Sequence, residues 1–194
     1  MRVRENDWMM RKLQVKASYR KAVAASKESL TIFGAYFQPG FRFLYRLQKA
    51  AKRGVKIKLV VPAKSDSEIG NTARHYIYSF LLRNNIALYE YTRTMLHAKV
   101  CVADNIWSAI GSYDLNNLSA YSNVEANVEI LDRKFAVHFQ HELDTVIEKD
   151  CEQITLEKYQ KNLTLINKFR YWISYHTIRF MFRISVLLAS KTEE

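Results

Sequence analysis

Little in these 194 residues interrupts the chain or cross-links it: there are two cysteines, two prolines and five glycines. Two thiols cannot make a disulfide framework, which excludes a small cross-linked secreted domain and fits a reducing compartment. So little Gly and Pro excludes collagen-like and low-complexity chains, and no segment repeats or reads as a linker. Long apolar runs are missing as well. No window reaches the ~20 clean apolar residues of a membrane-spanning helix, and the opening MRVRENDWMMRKLQVKASYRKAV lacks the apolar stretch of a secretory signal. Acidic residues are scarce, nineteen Asp and Glu against thirty Lys and Arg, leaving a net charge of +11. That excess points to an anionic partner, whether nucleic acid, phospholipid or a phosphorylated small molecule.

What is present is a chain with 48% hydrophobic residues, enough for one domain core with or without an appendage. A basic helix is expected from Trp8 to Ser26, leading into a strand from Leu30 to Phe37. The turn Gln38-Pro39-Gly40, a helix from Phe41 to Arg53, a stop at Gly54 and the strand VKIKLVVP then make a βαβ unit. A polar loop at Lys64 to Ser67, a helix from Asn71 to Arg83 and the strand IALYEY follow. After Asp132 an amphipathic helix, Arg133 to Lys149, is expected to cover the sheet, and a short segment, Cys151 to Thr155, leads to a helix from Leu156. The expected organisation is a basic helix over residues 1–28, a lobe over 29–150 and a helical appendage over 151–194. The fold class is α/β, a mixed β-sheet flanked by helices with a C-terminal amphipathic helical tail.

The chemistry is concentrated in HAKVCVADNIWSAIGSYDLNNLSAYSNVE. It holds His97-x-Lys99-x4-Asp104, then Gly111-Ser112-x-Asp114, then Glu125. Strand alternation puts His97, Lys99 and Cys101 on one face and Ala98, Val100 and Val102 on the other. IWSAIG reads as a second strand that brings the Ser112 hydroxyl to its end. NVEANVEI alternates too, and the expectation is that Val124, Ala126, Val128 and Ile130 are buried while Glu125, Asn127 and Glu129 share the outer face. Glu125 is thereby available to orient the imidazole. An imidazole can attack phosphorus covalently, while an ammonium and a hydroxyl stabilise the charged oxygens of the transition state. This chemistry calls for no metal and no cofactor. A second titrating group must protonate the leaving alcohol from the far side of the phosphorus.

These positions resemble the HKD and GSxN signature of the phospholipase D superfamily. AYFQPG, AAKRGVKIKLVVP, YEYTRTMLHAKV and NVEANVEILDRKFA look most like the second half of a bacterial cardiolipin synthase, and the likeness extends over roughly residues 5–160. The resemblance implies a phospholipase D-like lobe with His97 as nucleophile or paired acid/base. It implies Lys99 and Ser112 as phosphate contacts and a supporting role for Asp104. It also implies that the second histidine comes from another HKD motif, in a second copy of the chain or a separate first-lobe chain. His75, His138, His141 and His176 lack the motif's companions and read as structural or exposed. The chain would then begin where a whole synthase is half finished.

Asp114 stands where the family usually has Asn, and Asn116 follows two residues later, so the two polar types look exchanged. Either Asp114 meets the phosphodiester with its own negative charge, or Asn116 serves in its place. The tail from Phe169 to Ser190 is apolar but interrupted by Arg170, Arg179 and Arg183. On a helix, His176, Arg179 and Arg183 form one stripe, with Trp172, Ile173, Phe180, Ile184 and Leu187 around the rest, which suits the membrane interface. The alternative is a helix packed on the protein. Aromatic residues such as Tyr76, Tyr78, Tyr89, Tyr91, Tyr113 and Tyr121 are dense enough to stack bases, although core packing is the commoner use.

Three functions compete. The first is a cardiolipin synthase-type phosphatidyltransferase, peripheral to the cytoplasmic face of a bacterial membrane, with anionic phospholipids as partners. The second is a single-motif phosphodiesterase acting on nucleic acid as a homodimer. The third is an inactive half-protein. The tail separates the first from the second.

Overall fold

The alternating, β-branched stretches become a single sheet. The computed structural model describes residues 1–191, without the side chains of 183 and 185–191. Its strands are β1 (Arg2–Asp7), β2 (Lys12–Leu13), β3 (Ser29–Gly34), β4 (Lys56–Pro62), β5 (Ala87–Tyr91), β6 (Lys99–Ala103), β7 (Trp107–Gly111), β8 (Glu125–Leu131) and β9 (Cys151–Ile154). The helices are α1 (Gln14–Ala25), α2 (Phe41–Lys52), α3 (Glu68–Arg83), α4 (Asn117–Tyr121), α5 (Arg133–Asp150), α6 (Leu156–Lys161) and α7 (Leu165–Lys191). The nine strands run in the order β2-β1-β8-β7-β6-β3-β4-β5-β9. β3, β4 and β5 are parallel and every other neighbouring pair is antiparallel, so the fold is mixed α/β as expected.

Each face of the sheet carries its own core. On one face Val15, Tyr19 and Val23 of α1, Leu44 and Leu47 of α2 and Ile77 and Leu81 of α3 meet Ile32, Leu59, Leu88 and Cys101. On the other, Ala136, Leu143 and Ile147 of α5 cover Phe33, Val60 and Val102. β3 and the second half of β4 are thus buried on both sides, which is why LVVP reads as a continuous apolar run. Gly54 ends α2 at φ +93°, a backbone conformation that costs a Cβ-bearing residue energy.

Three expectations change. The helix expected from Trp8 begins only at Gln14, because RVREND joins the sheet as β1, antiparallel to β8. Asn6 then supplies the start of α1 from outside, its Oδ1 accepting from the N–H groups of Val15 (3.0 Å) and Lys16 (3.3 Å). Cys151–Ile154 also joins the sheet, as β9 beside β5, so the sheet reaches into both flanking segments. In β8 the alternation holds but the faces are exchanged. Glu125, Asn127 and Glu129 are buried, whereas Val124 is 62% exposed. The polar face of β8 lies under α1, where the Asn127 amide donates to the Tyr19 hydroxyl (3.4 Å), and Glu129 pairs with Arg4 across the strand (3.1 Å).

The tail helix has two sides. Tyr175 and Ile178 of α7 are buried against the first core, Tyr175 stacking on Tyr76 at 4.6 Å and Tyr171 on His75 at 5.1 Å. Phe169, Trp172, Ile173 and Phe180 remain exposed. His176 leans on Trp172, but Arg179 turns away from the expected stripe towards Phe41. The side chains of Arg183 and Leu187 lie outside the described residues. Among the described residues no helix is long and apolar enough to cross a membrane.

Candidate active site

Beyond the carboxyl end of β3, where open α/β sheets tend to place ligands, β6 starts at Lys99. His97 and Ala98 are just outside the strand, and the loop is pinned by Leu96 in the α5 core. Alternation along β6 sends Cys101 and Ala103 into one core and Val102 into the other, as the sequence pattern requires. Lys99 therefore projects on the Cys101 side, where its side chain is only 7% exposed, while His97 stands in solvent.

The Lys99 ammonium gathers this half of the site. It lies 3.2 Å from both ring nitrogens of His97, 3.1 Å from the His97 carbonyl and 3.4 Å from Asp114 Oδ2. The Tyr36 ring closes the other side, 5.5 Å from the ammonium and edge-on to His97 at 6.3 Å. Tyr36 is held in turn by its hydroxyl, which donates to Asp66 Oδ2 (2.6 Å) in the polar loop after β4. That bond, with burial and the Asp66 charge, pushes the phenol up to about 12. Sequence reasoning misses Tyr36 as a site residue, its only signal being its place in AYFQPG.

Of the two exchanged positions, Asp114 is the one beside Lys99. Its Oδ1 accepts from the Tyr36 N–H (3.1 Å) and its Oδ2 pairs with Lys99. Burial pushes its carboxyl above the ordinary range and Glu125 adds to this, while Lys99 and the Tyr36 N–H pull the other way. Asn116 faces elsewhere. It caps α4 by accepting from the Ser119 N–H (2.8 Å), and its amide donates to the Tyr36 carbonyl (3.4 Å).

Ser112 and Glu125 form the neighbouring half. The Ser112 hydroxyl donates to Glu125 Oε2 (2.5 Å) and accepts from the Ala126 N–H (3.1 Å), while Asn123 donates to Glu125 Oε1 (3.2 Å). The sequence makes Glu125 a candidate to orient His97. The register that pairs Gly111 with Asn127 instead places it beside Ser112, and the imidazole contacts Lys99. Asn127, another support that the sequence does not announce, accepts from the Tyr113 N–H (3.2 Å) and so fixes the strand end that carries Ser112.

Asp104 sits in the β6–β7 turn at φ 51°. Its carboxylate accepts from the N–H groups of Lys27 (2.8 Å), Glu28 (2.8 Å) and Ser29 (2.9 Å), binding the turn to the start of β3. Burial alone would raise this carboxyl, but the three donors and the Lys27 charge outweigh it and hold it below the ordinary range. A carboxyl depressed in the folded state stabilises the fold above its unfolded pKa, and that contribution is lost as pH falls through the folded value. Asp104→Ala is therefore expected to cost about 1–3 kcal/mol at neutral pH, with the deficit shrinking below about pH 4. Urea unfolding at pH 7 and pH 3 reads this, and an equal deficit at both contradicts it.

An exposed imidazole on a buried ammonium, beside a serine–carboxylate pair at a sheet end, is the arrangement of a phospholipase D-type lobe. Residues 19–147 match the family described as "Cardiolipin synthase, PLD-like domain", and the chain belongs to it. Cardiolipin synthase B of Escherichia coli is 34% identical over 171 residues, covering 85% of this chain and 40% of the relative. The chain thus spans about two fifths of the length of that relative. Among solved structures, the phospholipase D family member Nuc from Salmonella typhimurium superposes with TM-score 0.67 at 19% identity, over 79% of this chain and 97% of Nuc. Phosphatidylserine synthase of Haemophilus influenzae superposes with TM-score 0.70 at 12% identity, over 96% of this chain and 46% of that one. These two likenesses concern the fold.

Proposed function

We propose that this lobe supplies half of a phosphatidyltransferase site of the cardiolipin synthase type. The observation that carries the reading is the His97–Lys99–Asp114 cluster in a chain 34% identical to a cardiolipin synthase. His97 attacks the phosphorus of one phosphatidylglycerol, forming an N–P bond and breaking the bond to the glycerol headgroup. A second histidine gives that glycerol its proton, then takes the proton from the hydroxyl of a second phosphatidylglycerol. The incoming oxygen displaces His97, so two phosphatidylglycerols become one cardiolipin and one glycerol. Lys99 meets the negative oxygens of the crowded transition state, and the Ser112 hydroxyl joins it once its proton turns from Glu125. Asp114 neutralises Lys99 between turnovers and sets its position.

The second histidine belongs to a second phospholipase D-type lobe. A lipid-product assay tests the reading: phosphatidylglycerol should yield cardiolipin and glycerol. Cleavage of single-stranded DNA without any lipid product would instead favour a phosphodiesterase.

We assign α7 to the surface of a bacterial membrane, bound peripherally from the cytoplasmic side. It buries one face on α3 and leaves Phe169, Trp172, Ile173 and Phe180 outward on a chain with net charge +11. Apolar insertion plus attraction to anionic headgroups is the usual basis of such binding. Phe169→Ser with Phe180→Ser should weaken binding to vesicles containing phosphatidylglycerol by about tenfold or more, since each buried aromatic contributes about 1.5–3 kcal/mol. Unchanged sedimentation with vesicles would contradict the assignment.

A further inference from the structure

A cavity of about 470 Å³ opens between α1, α2, α7 and the loop leading to α4. Five cations line it: Lys16 and Arg20 from α1, Arg42 and Arg46 from α2, and Arg179 from α7. Among the described residues, no acidic side chain lines it and none of the five cations is paired with a carboxylate. Two are held in place by aromatic rings. Arg179 lies 4.5 Å over Phe41 and donates to the Tyr175 hydroxyl (3.1 Å), and Lys16 lies 3.7 Å over Tyr121. The inner wall is apolar, with Phe43, Leu115 and Ala120.

Like charges gathered around one recess repel one another, and a bound anion turns that repulsion into attraction. The start of α2 adds to the same field, having Gly40 without a side-chain cap and no acid in the first turn. The cavity is distinct from the histidine site. Tyr113 and Leu115 face it while Asp114 between them faces Lys99, so this short segment stands between the two.

We propose that the cavity binds the phosphate headgroup of an acidic phospholipid, as a second lipid site apart from His97. A phosphate suits the cations, and the apolar wall suits the glycerol and upper acyl carbons. Phe41 and Tyr45, 56% and 54% exposed along α2, offer the acyl chains a way out. A nucleic acid would need a groove that continues along its backbone, whereas this is a single recess bounded by three helices. Because Arg179 belongs to α7, headgroup binding also ties the tail helix to the lobe.

Calorimetric titration with dihexanoylphosphatidylglycerol below its micelle concentration tests this, with inorganic phosphate and dihexanoylphosphatidylcholine titrated in parallel. Saturable binding of the acidic lipid is expected, at least about tenfold tighter than either comparison ligand. Arg42→Gln with Arg46→Gln should weaken it by about tenfold or more, and Arg20→Gln, at an exposed position on another helix, should weaken it independently. The binding lost in the arginine variants should persist in Lys99→Ala, which alters only lipid held beside the histidine. Equal affinity for inorganic phosphate would overturn the lipid assignment, and loss on Lys99→Ala alone would place the binding at the histidine. Absence of binding would overturn the site itself. Turnover is not read, so the result stands apart from the transfer reading.

Discussion

Replacing His97 with alanine is expected to abolish phosphatidyl transfer, a loss of at least about 10²- to 10⁴-fold, the range for removal of a single proton-transferring group. His97 is the proposed nucleophile as well, so no covalent intermediate can form without it. The fold should survive. The imidazole is exposed and, among the described residues, its polar and ring contacts are with the Lys99 ammonium and the edge of Tyr36. Its removal should therefore move stability by no more than about 0.5 kcal/mol, as for surface substitutions generally. Lipid-product assays and urea unfolding of the same preparation check both halves. A His97→Ala chain with full transfer activity would remove the assignment.

Gly111→Ala should destabilise the chain more than a methyl group added at any other of its glycines. A Cβ at Gly111 would stand 2.3 Å from the Ala126 carbonyl oxygen, 2.5 Å from Asn127 Oδ1 and 2.6 Å from Asn127 Cα. Two of these are backbone atoms of β8, the strand paired with Gly111, so no side chain can swing aside. Relief requires β7 and β8 to part where Ser112, Glu125 and Asn127 are held. A cost of about 3 kcal/mol or more follows, at the upper end of overpacking penalties, together with loss of activity. At Gly54 the space is open and only the positive φ opposes a side chain. Gly54→Ala should cost about 1–2 kcal/mol and spare the site. Urea midpoints of the two variants compare them directly, and equal midpoints would contradict this account of the β7–β8 contact.

The local patterns carry much of the fold. β3, α2, β4, α3 and β5 announce themselves by alternation, helical spacing and the stop at Gly54. The His97–Lys99 pair is equally legible, because a period of two places Lys99 with Cys101 whatever the strand packs against. What stays hidden depends on distant partners. RVREND is charged and short, and becomes a strand because β8 offers it an edge. The polar residues of β8 are buried because α1 covers them and Tyr19, Ser112 and Arg4 satisfy Asn127, Glu125 and Glu129. A hydrophobic alternation cannot reveal that, since it assigns burial by residue type alone. The partner of Glu125 is hidden for a similar reason: the choice between Ser112 and His97 is set by strand register. Tyr36 is hidden because its role depends on Asp66, thirty residues away in sequence and adjacent only after β3 and β4 pair.

The tail illustrates the same limit from the other direction. Its composition implies either a membrane face or a protein face; the helix packs Tyr175 and Ile178 inward on the protein and leaves Phe169 and Phe180 outward. Arg179 cannot be assigned from spacing because aromatic rings on two elements, Phe41 and Tyr175, draw it inward.

The His97 cluster is proposed as one half of a two-histidine transferase site. The most direct test is cardiolipin formation from phosphatidylglycerol by the purified chain in mild detergent, with particle mass measured by light scattering on the same fraction and a first-lobe chain added in a parallel arm. Product is expected from two-copy particles, or only when the first-lobe chain is supplied, and in either case none with His97→Ala. Product from a one-copy particle without added partner, or no product in either arm, would contradict the proposal.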